Sequence, residues 1–203
     1  MTEKEKCLAG KIYDPNDSEL LALRRKAHKL CLDYNALYET DGRREEILKE
    51  LLPDLGEGSY LQGPIYFDYG VFTRTGKNFY ANFNFTVLDT CPVTIGDNVF
   101  IGPNVSILAP KHPLRWQDRN MFVKDGNVTD NEYGAPVVIG NNCWIAGNVA
   151  VLAGAKIGSG CVIGAGSVVA GSIPDNCLAY GNPCKVVREI TEADRLELKK
   201  ELF

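Results

Sequence analysis

Apolar residues recur every six positions between Ile139 and Pro174. Six consecutive units each begin with Ile or Val, and a small or short apolar residue follows four places later. A period of six fits neither an amphipathic helix nor an alternating strand. It favours a chain that turns a corner in every unit, with the first residues pointing into a narrow prism, and three sides then form one coil of about 18 residues in a parallel β-helix. The second set of inward positions is Cys143, Val149, Ala155, Cys161, Ser167 and Ile173.

The same period extends towards the N-terminus with two exceptions. Counting in sixes from Ile65 places polar residues at Lys77 and Asp89, although these positions should point inward. End coils of solenoids are often irregular, so only Asp89 requires a separate explanation. From Ile95 to Ile139 the step is two residues longer than a multiple of six, which predicts an inserted loop over residues 111–136. The other inward positions predicted by this count are Val71, Phe83, Ile101 and Ile107.

Amphipathic patterns outside the repeat predict helices at both ends. Residues 18–38 form one helix with Ser18 as its cap, and residues 43–52 form a second. Thr191 and Asp194 resemble a capping box that begins a terminal helix. The predicted organisation is a helical segment over 1–60 that borders the acceptor site, a β-helix with its inserted loop over 61–188, and a C-terminal helix over 189–203.

Composition narrows the functional classes. The net charge of −4 argues against nucleic acid as a partner, because phosphate binding requires a basic face. We expect no membrane association, since no apolar run is long enough to span a bilayer. The charged start lacks the apolar region of a secretion signal, and the seven cysteines have no metal-like spacing. These features predict a cytoplasmic protein with reduced thiols.

The chain contains two histidines. His28 falls within the first long helix, where a surface or packing role is the simpler interpretation. His112 follows the last residues before the inserted loop, so a rigid coil would hold it while it faces solvent. Loops on rigid scaffolds concentrate catalytic residues, and imidazole accepts a proton near neutral pH. Two histidines cannot supply a three-histidine zinc site, and no metal is expected.

Several motifs together resemble the sugar O-acetyltransferases of the hexapeptide-repeat superfamily, the maltose and galactoside acetyltransferase group. The resemblance extends from Met1 to about Arg188. The repeat alone is weakly specific, but its combination with the Tyr-Ala-Asn-Phe and His-Pro-Leu motifs is far more specific. The motifs begin at Glu5, Asn78, Leu88, His112, Glu132 and Gly181.

This resemblance implies a mainly β protein, a left-handed parallel β-helix with an N-terminal helical segment, an inserted loop and a short C-terminal helix, assembled as a homotrimer. It also implies acetyl-CoA as co-substrate in a groove between subunits, a sugar acceptor, and His112 as the general base. The implied acceptor-binding residues are Asp14, Asp17, Arg24, Asp68, Tyr80, Asn82, Asp89 and Glu132. The implied coenzyme-binding residues are Trp144, Gly147, Ala165, Ala170, Gly171, Lys185 and Arg188.

Alternatives remain open for individual residues and for the whole protein. Asp89 has an alternative interpretation as a hydrogen-bonded turn residue, and Lys185 and Arg188 as solvated tail charges. Ala170 and Gly171 stand where the family often has Thr-Lys, so only backbone contacts to CoA can remain there. The long inserted loop leaves the acceptor open between a sugar and an antibiotic, oligosaccharide or amine, and a non-catalytic trimeric scaffold is the alternative outside enzymes.

Overall fold

Three parallel sheets form the walls of a three-sided prism in the computed structural model of the chain, which describes residues 1–202. Each coil contributes one strand to each wall, which we call the first, second and third face. The first face contains β1 (Tyr60–Leu61), β4 (Tyr80–Ala81), β7 (Phe100–Ile101), β14 (Trp144–Ile145), β17 (Val162–Ile163), β20 (Cys177–Tyr180) and, antiparallel at its edge, β21 (Lys185–Glu189). The second contains β2 (Ile65–Phe67), β5 (Phe85–Leu88), β8 (Ser106–Leu108), β15 (Ala150–Leu152) and β18 (Val168–Val169). The third contains β3 (Thr73–Thr75), β6 (Val93–Ile95), β13 (Val137–Ile139), β16 (Lys156–Ile157) and β19 (Ser172–Ile173). This architecture confirms the mainly β fold with a β-helix.

The coils differ in length, which corrects the repeat register predicted from Ile65. Equivalent corner residues lie 20 positions apart in the early coils, 18 apart after the inserted loop and 16 apart at the end. The early coils are longer at the corner between the second and third faces. There the chain takes six residues from Leu88 to Thr94, but four from Leu152 to the equivalent Lys156. Counting in sixes is therefore wrong before Ile95: it placed Lys77 and Phe83 inside, where both are exposed.

Asparagines at two corners hold the coils in register. Asn98 and Asn142 adopt left-handed backbone angles, with φ of 54° and 57°. This conformation costs most L-residues about 1–2 kcal/mol but suits Asn and Gly. The amide of Asn98 donates to Asn142 Oδ1 at 3.2 Å, and Asn78 donates to Asn98 at 2.9 Å. A second ladder at the next corner consists of Asn84, Asn104 and Asn148. Each ladder gives its polar side chains partners in the coils above and below.

Aliphatic side chains and thiols fill the prism. Cys143 and Cys161 occupy inward positions, as the repeat predicted, and their thiols donate to the carbonyls of Gly158 and Pro174 at 3.0 and 2.9 Å. Burial raises the pKa of Cys143 to about 11, so this thiol stays protonated and unreactive. All seven cysteines are free.

Three helices precede the prism: α1 (Glu3–Leu8), α2 (Ser18–Asn35) and α3 (Arg43–Leu51). The sequence analysis did not predict α1, which begins with a capping box between Thr2 and Glu5. The N-cap of α2 is Asp17 and not the expected Ser18, because the Asp17 carboxylate accepts from the backbone of Glu19 and Leu20. This helix also ends at Asn35, three residues before the predicted end.

Helix α2 is fixed against the second face by a pair of backbone-directed hydrogen bonds. The Asn35 amide donates to the Ile65 carbonyl at 2.9 Å and accepts from the Ile65 backbone at 2.8 Å. Next to it, the buried Tyr34 hydroxyl donates to the Leu61 carbonyl at 2.5 Å, and the Arg44 guanidinium lies 4.1 Å above the Tyr34 ring. These contacts tie the helical segment rigidly to the first coil.

The inserted loop and the tail complete the chain. Within the loop, β9 (Pro110–Lys111) pairs with β12 (Tyr133–Gly134), β10 (Phe122–Lys124) pairs with β11 (Asn127–Thr129), and α4 spans Trp116–Arg119. The tail forms three single 3-10 turns where a continuous helix was expected, and the capping box of Thr191 with Asp194 is present. Residue 203 lies outside the described part. No helix within residues 1–202 has the length and apolarity to cross a bilayer.

Asp89 lies in the long corner and is fully buried. Its two carboxylate oxygens accept from the Tyr69 backbone at 2.8 Å and from the Thr73 hydroxyl at 3.0 Å. Burial raises the pKa of Asp89 to about 6. A carboxylate enclosed in this way is not accessible to a sugar, so its expected role in acceptor binding is corrected to a structural one: it joins two neighbouring coils.

We expect the Asp89 carboxyl to make the protein less stable as pH rises from about 4 to about 6. The native state keeps this proton when the unfolded chain, with a pKa near 3.9, has lost it, so stability falls across that interval and is level above it. The loss attributable to Asp89 is about 3 kcal/mol. Urea unfolding of the wild type and of Asp89→Asn at pH 4, 5, 6 and 7 measures it, because the amide can bond both Tyr69 and Thr73 without titrating.

The difference between the two free energies of unfolding should therefore shift towards the Asn variant as pH rises. A difference that is constant over this range would contradict the prediction. The matched variant Asp89→Ala should be less stable than Asp89→Asn at every pH, since it leaves a buried donor unpaired, at a cost of about 1–3 kcal/mol.

Candidate functional site

His112 lies at the base of the inserted loop, directly after β9. The pairing of β9 with β12 brings both ends of the loop together, so that the ring is surrounded by residues from the returning chain. Its Nδ1 lies 3.3 Å from the Asn131 carbonyl and 3.7 Å from Asp130 Oδ2, and its Nε2 lies 3.7 Å from Glu132 Oε2. The side chain is 42% exposed. The imidazole is thus oriented by its neighbours and still open to a ligand.

Glu132 connects His112 to the helical segment. The buried Tyr13 hydroxyl donates to Glu132 Oε1, and the Tyr13 backbone donates to the Glu132 carbonyl at 3.1 Å. Burial raises the pKa of Glu132, while the Tyr13 hydrogen bond and the nearby His112 oppose that rise. The sequence analysis did not select Tyr13 as a functional residue. Its place next to the Ala-Gly-Lys motif was the available signal.

The structure distinguishes between the two aspartates that precede α2. Asp14 accepts a hydrogen bond of 2.6 Å from the Thr129 hydroxyl, on the loop strand that leads to Asp130. Asp17 instead caps α2 and is committed to its backbone. Asp14 therefore borders the His112 region, whereas Asp17 has the helix-entry role that the sequence analysis kept as an alternative.

Asp68 and Arg24 lie on the side of this region that faces α2. Asp68 Oδ1 lies 3.6 Å from His28 Nε2, and Arg24 donates to the Pro15 carbonyl at 3.2 Å. Burial raises the pKa of Asp68, and the charges of His28 and Arg24 oppose that rise. The Asp68 charge in turn raises the pKa of Glu132, which places both carboxylates within electrostatic reach of each other. His28 thus has a specific partner that its surface position in the sequence did not reveal.

A second group of predicted residues forms a groove of about 420 Å³ on the first face. Tyr80 and Asn82 line one part, and Trp144 and Gly147 line another. Phe100, which the sequence analysis missed, lies between them with its ring 6.1 Å from that of Tyr80. A side chain at Gly147 would place its Cβ 3.3 Å from the Pro103 carbonyl oxygen, so glycine keeps this groove open. The signal for Phe100 was its position on the outward side of the repeat, beside an inward Ile101.

The other predicted coenzyme-binding residues lie towards the C-terminal end of the prism. Ala165, Ala170 and Gly171 are exposed at corners of the last coils. Arg188 on β21 makes two hydrogen bonds to Asp194 at 2.6 and 2.7 Å, so much of its binding capacity is occupied. Lys185, also exposed on β21, forms no ion pair with any described residue. Among residues 1–202, no group of three His, Cys, Asp or Glu side chains is arranged to hold a metal ion.

Comparison with known protein families agrees with this architecture. The maltose acetyltransferase hexapeptide capping motif matches residues 6–56, which contain the helical segment. The bacterial transferase hexapeptide pattern of six repeats matches residues 136–171, and the hexapeptide repeat of succinyl-transferase matches residues 92–109.

Relatives of known sequence or structure match nearly the whole chain. The galactoside O-acetyltransferase of Escherichia coli K12 is 39% identical over 196 residues, which is 96% of this chain and 93% of that protein. The crystal structure of a maltose O-acetyltransferase from Clostridium difficile 630 is 43% identical, with a TM-score of 0.85 over 95% of this chain and 99% of the other. A galactoside acetyltransferase in complex with coenzyme A is 38% identical, with a TM-score of 0.86 over 96% and 94% of the two chains. The chain therefore belongs to the hexapeptide-repeat acyltransferases, in the group of maltose and galactoside O-acetyltransferases.

Proposed function

We propose that the protein transfers an acetyl group from acetyl-CoA to a hydroxyl of a sugar, with His112 as the general base. One observation carries this proposal: the imidazole is held between a carbonyl and two carboxylates, yet remains partly exposed. The proposal is supported by relatives named galactoside O-acetyltransferase and by a related structure that contains coenzyme A. Acetyl-CoA and the seven free thiols also favour the cytoplasm as the place of action.

The tautomer of His112 follows from its neighbours. The Asn131 carbonyl can only accept a hydrogen bond, so Nδ1 carries the hydrogen and Nε2 presents its lone pair. Nε2 takes the proton as the sugar oxygen attacks the thioester carbonyl. The C–S bond then breaks, and the proton passes from Nε2 to the departing CoA thiolate. Asp130 and Glu132 stabilise the imidazolium that exists between these two transfers.

The groove on the first face is the proposed path of CoA. Exposed apolar walls such as Trp144 and Phe100 suit the pantetheine arm, and Lys185 would meet a phosphate. The Asn82 amide and backbone N–H groups are the candidate donors to the oxyanion of the tetrahedral intermediate.

We further propose that the protein is a homotrimer in which the groove of one subunit meets the His112 loop of its neighbour. The described chain separates these two groups of residues on different parts of its surface. The loop also exposes apolar side chains, with Leu114 93% and Met121 77% accessible. Large exposed apolar surfaces of this kind are typical of contacts between proteins.

The nature of the acceptor has one competing candidate. Three carboxylates, from Asp68, Asp130 and Glu132, surround the region of His112, and they would favour an acceptor that carries an amine. A panel of neutral sugars and amino sugars, assayed by CoA thiol release with mass measurement of the product, separates the two candidates. Acetylation on nitrogen alone would contradict the O-acetyltransferase assignment.

His112→Ala should lower kcat by about 10²–10⁴-fold, because a positioned general base contributes that much. The affinity for CoA, measured by calorimetry, should stay within twofold, since the groove lies on another face. Thermal unfolding of the variant serves as the control for folding. An unchanged kcat would show that His112 is not the base.

Tyr13→Phe should move the acidic limb of the kcat profile to higher pH. The hydroxyl favours the ionised form of Glu132, so its removal raises the pKa of Glu132 further and leaves this group protonated over more of the pH range. Activity of the wild type and the variant from pH 5 to 9 measures the shift. Tyr38→Phe removes an exposed hydroxyl elsewhere and should leave the profile in place. If Tyr13→Phe changes only the thermal stability, Tyr13 has no positioning role.

Lys185→Ala should weaken CoA binding several-fold at low salt and less at high salt, because screening reduces the interaction of exposed charges. Arg188→Ala should have a smaller effect, since Asp194 already holds its guanidinium. Lys49→Ala, on the exposed side of α3, is the matched control for loss of one positive charge. Equal Kd values for the Lys185 and Lys49 variants would remove Lys185 from the phosphate site.

A further inference from the structure

A cleft of about 410 Å³ lies between α2 and the second face, separate from the groove described above. Its walls are mostly apolar and include Cys31, Leu32 and Tyr66. Leu88 closes the end that faces the inserted loop. This size and lining are typical of small-molecule sites, in which a few polar groups fix the orientation of a largely apolar ligand.

The polar groups of the cleft are His28 and Asp68. Their closest atoms, His28 Nε2 and Asp68 Oδ1, lie 3.6 Å apart, which is longer than a good hydrogen bond. A ligand hydroxyl placed beside the pair can accept from Nε2 and donate to Oδ1. Since 22% of the Asp68 side chain and 54% of the His28 side chain are exposed, a ligand can reach both groups.

The cleft adjoins the region of His112. Leu88 on β5 lies next to Leu108 on β8 in the second face, and the chain runs from Leu108 through β9 directly to His112. Asp68 follows β2 at the same end of this face, and its charge is felt by Glu132. A molecule with one hydroxyl at His112 can therefore extend along α2 into the cleft.

We propose that this cleft is an acceptor subsite for an apolar substituent, and that the His28–Asp68 pair holds a hydroxyl at its entrance. The preferred acceptor is then a glycoside that carries an aryl or alkyl group, rather than a free sugar. This inference rests on the proposed O-acetyltransferase function and specifies its acceptor.

The test compares methyl and phenyl β-galactosides in the CoA thiol-release assay. The wild type should have a KM for the phenyl galactoside about tenfold lower, because burial of a ring contributes apolar contact that a methyl group lacks, with similar kcat values. Leu32→Trp fills the cleft and should remove this preference. Ala22→Trp adds the same side chain at an exposed position ten residues earlier on α2 and should preserve it.

His28→Leu separates the two parts of the proposed subsite. It removes the donor at the entrance and keeps an apolar side chain, so KM should rise for both galactosides while their ratio stays near the wild-type value. A phenyl-to-methyl ratio near one in the wild type, or a ratio that Leu32→Trp does not change, overturns the proposal.

Direct binding distinguishes failure of the subsite from failure of the proposed function. Calorimetry with phenyl β-galactoside should show binding to the wild type and Ala22→Trp, and weaker binding to Leu32→Trp. Binding with this pattern but without thiol release would contradict the reaction and retain the subsite. If Leu32→Trp instead changes the oligomeric mass in light scattering, the cleft is a contact between copies of the chain and the proposal is wrong.

Discussion

The corner of the coil is the constraint on which the rest of this structure depends. Each corner reverses the chain within a few residues, and it does so by placing one residue in the left-handed region, as at Asn98 and Asn142. Asparagine tolerates this conformation, and its amide also bonds the equivalent amide of the next coil. The corners therefore set both the angle between faces and the register between coils. Once the register is set, inward and outward positions follow along every strand.

Corner length decides where the chemistry is located. The corner between the second and third faces is long in the early coils, and the chain inserts its loop at the same corner of the next coil. Asp89 fills the long corner from inside, while His112 begins the insertion on the outside. The pairing of β9 with β12 closes the loop, so that Asp130 and Glu132 return to the imidazole. A structural carboxylate and a functional one thus arise from equivalent corners, separated by burial.

Burial also explains the electrostatics of the His112 region. Glu132 and Asp68 are both partly enclosed, and enclosure raises the pKa of each carboxyl. The Tyr13 hydroxyl and His112 oppose this rise at Glu132, and His28 and Arg24 oppose it at Asp68. Each carboxylate is therefore matched to an imidazole. One of these pairs serves the proposed proton transfer, and the other stands at the entrance of the cleft beside α2.

Local patterns in the sequence determined the repeat from Ile139 onward, the inserted loop, the positions of α2 and α3, and the family resemblance, because a period of six and the short motifs involve neighbours along the chain. Asn or Gly at the fourth place of these units was a further local signal for the corners. The register of the early coils, the burial of Asp89, the capping by Asp17 and the pairing of Arg188 with Asp194 were decided by tertiary structure alone. So were the contacts of Tyr13 with Glu132 and of His28 with Asp68, which join residues far apart in sequence. The physical reason is that periodicity reports which way a side chain points, whereas the length of a corner and the stacking of coils decide what it meets.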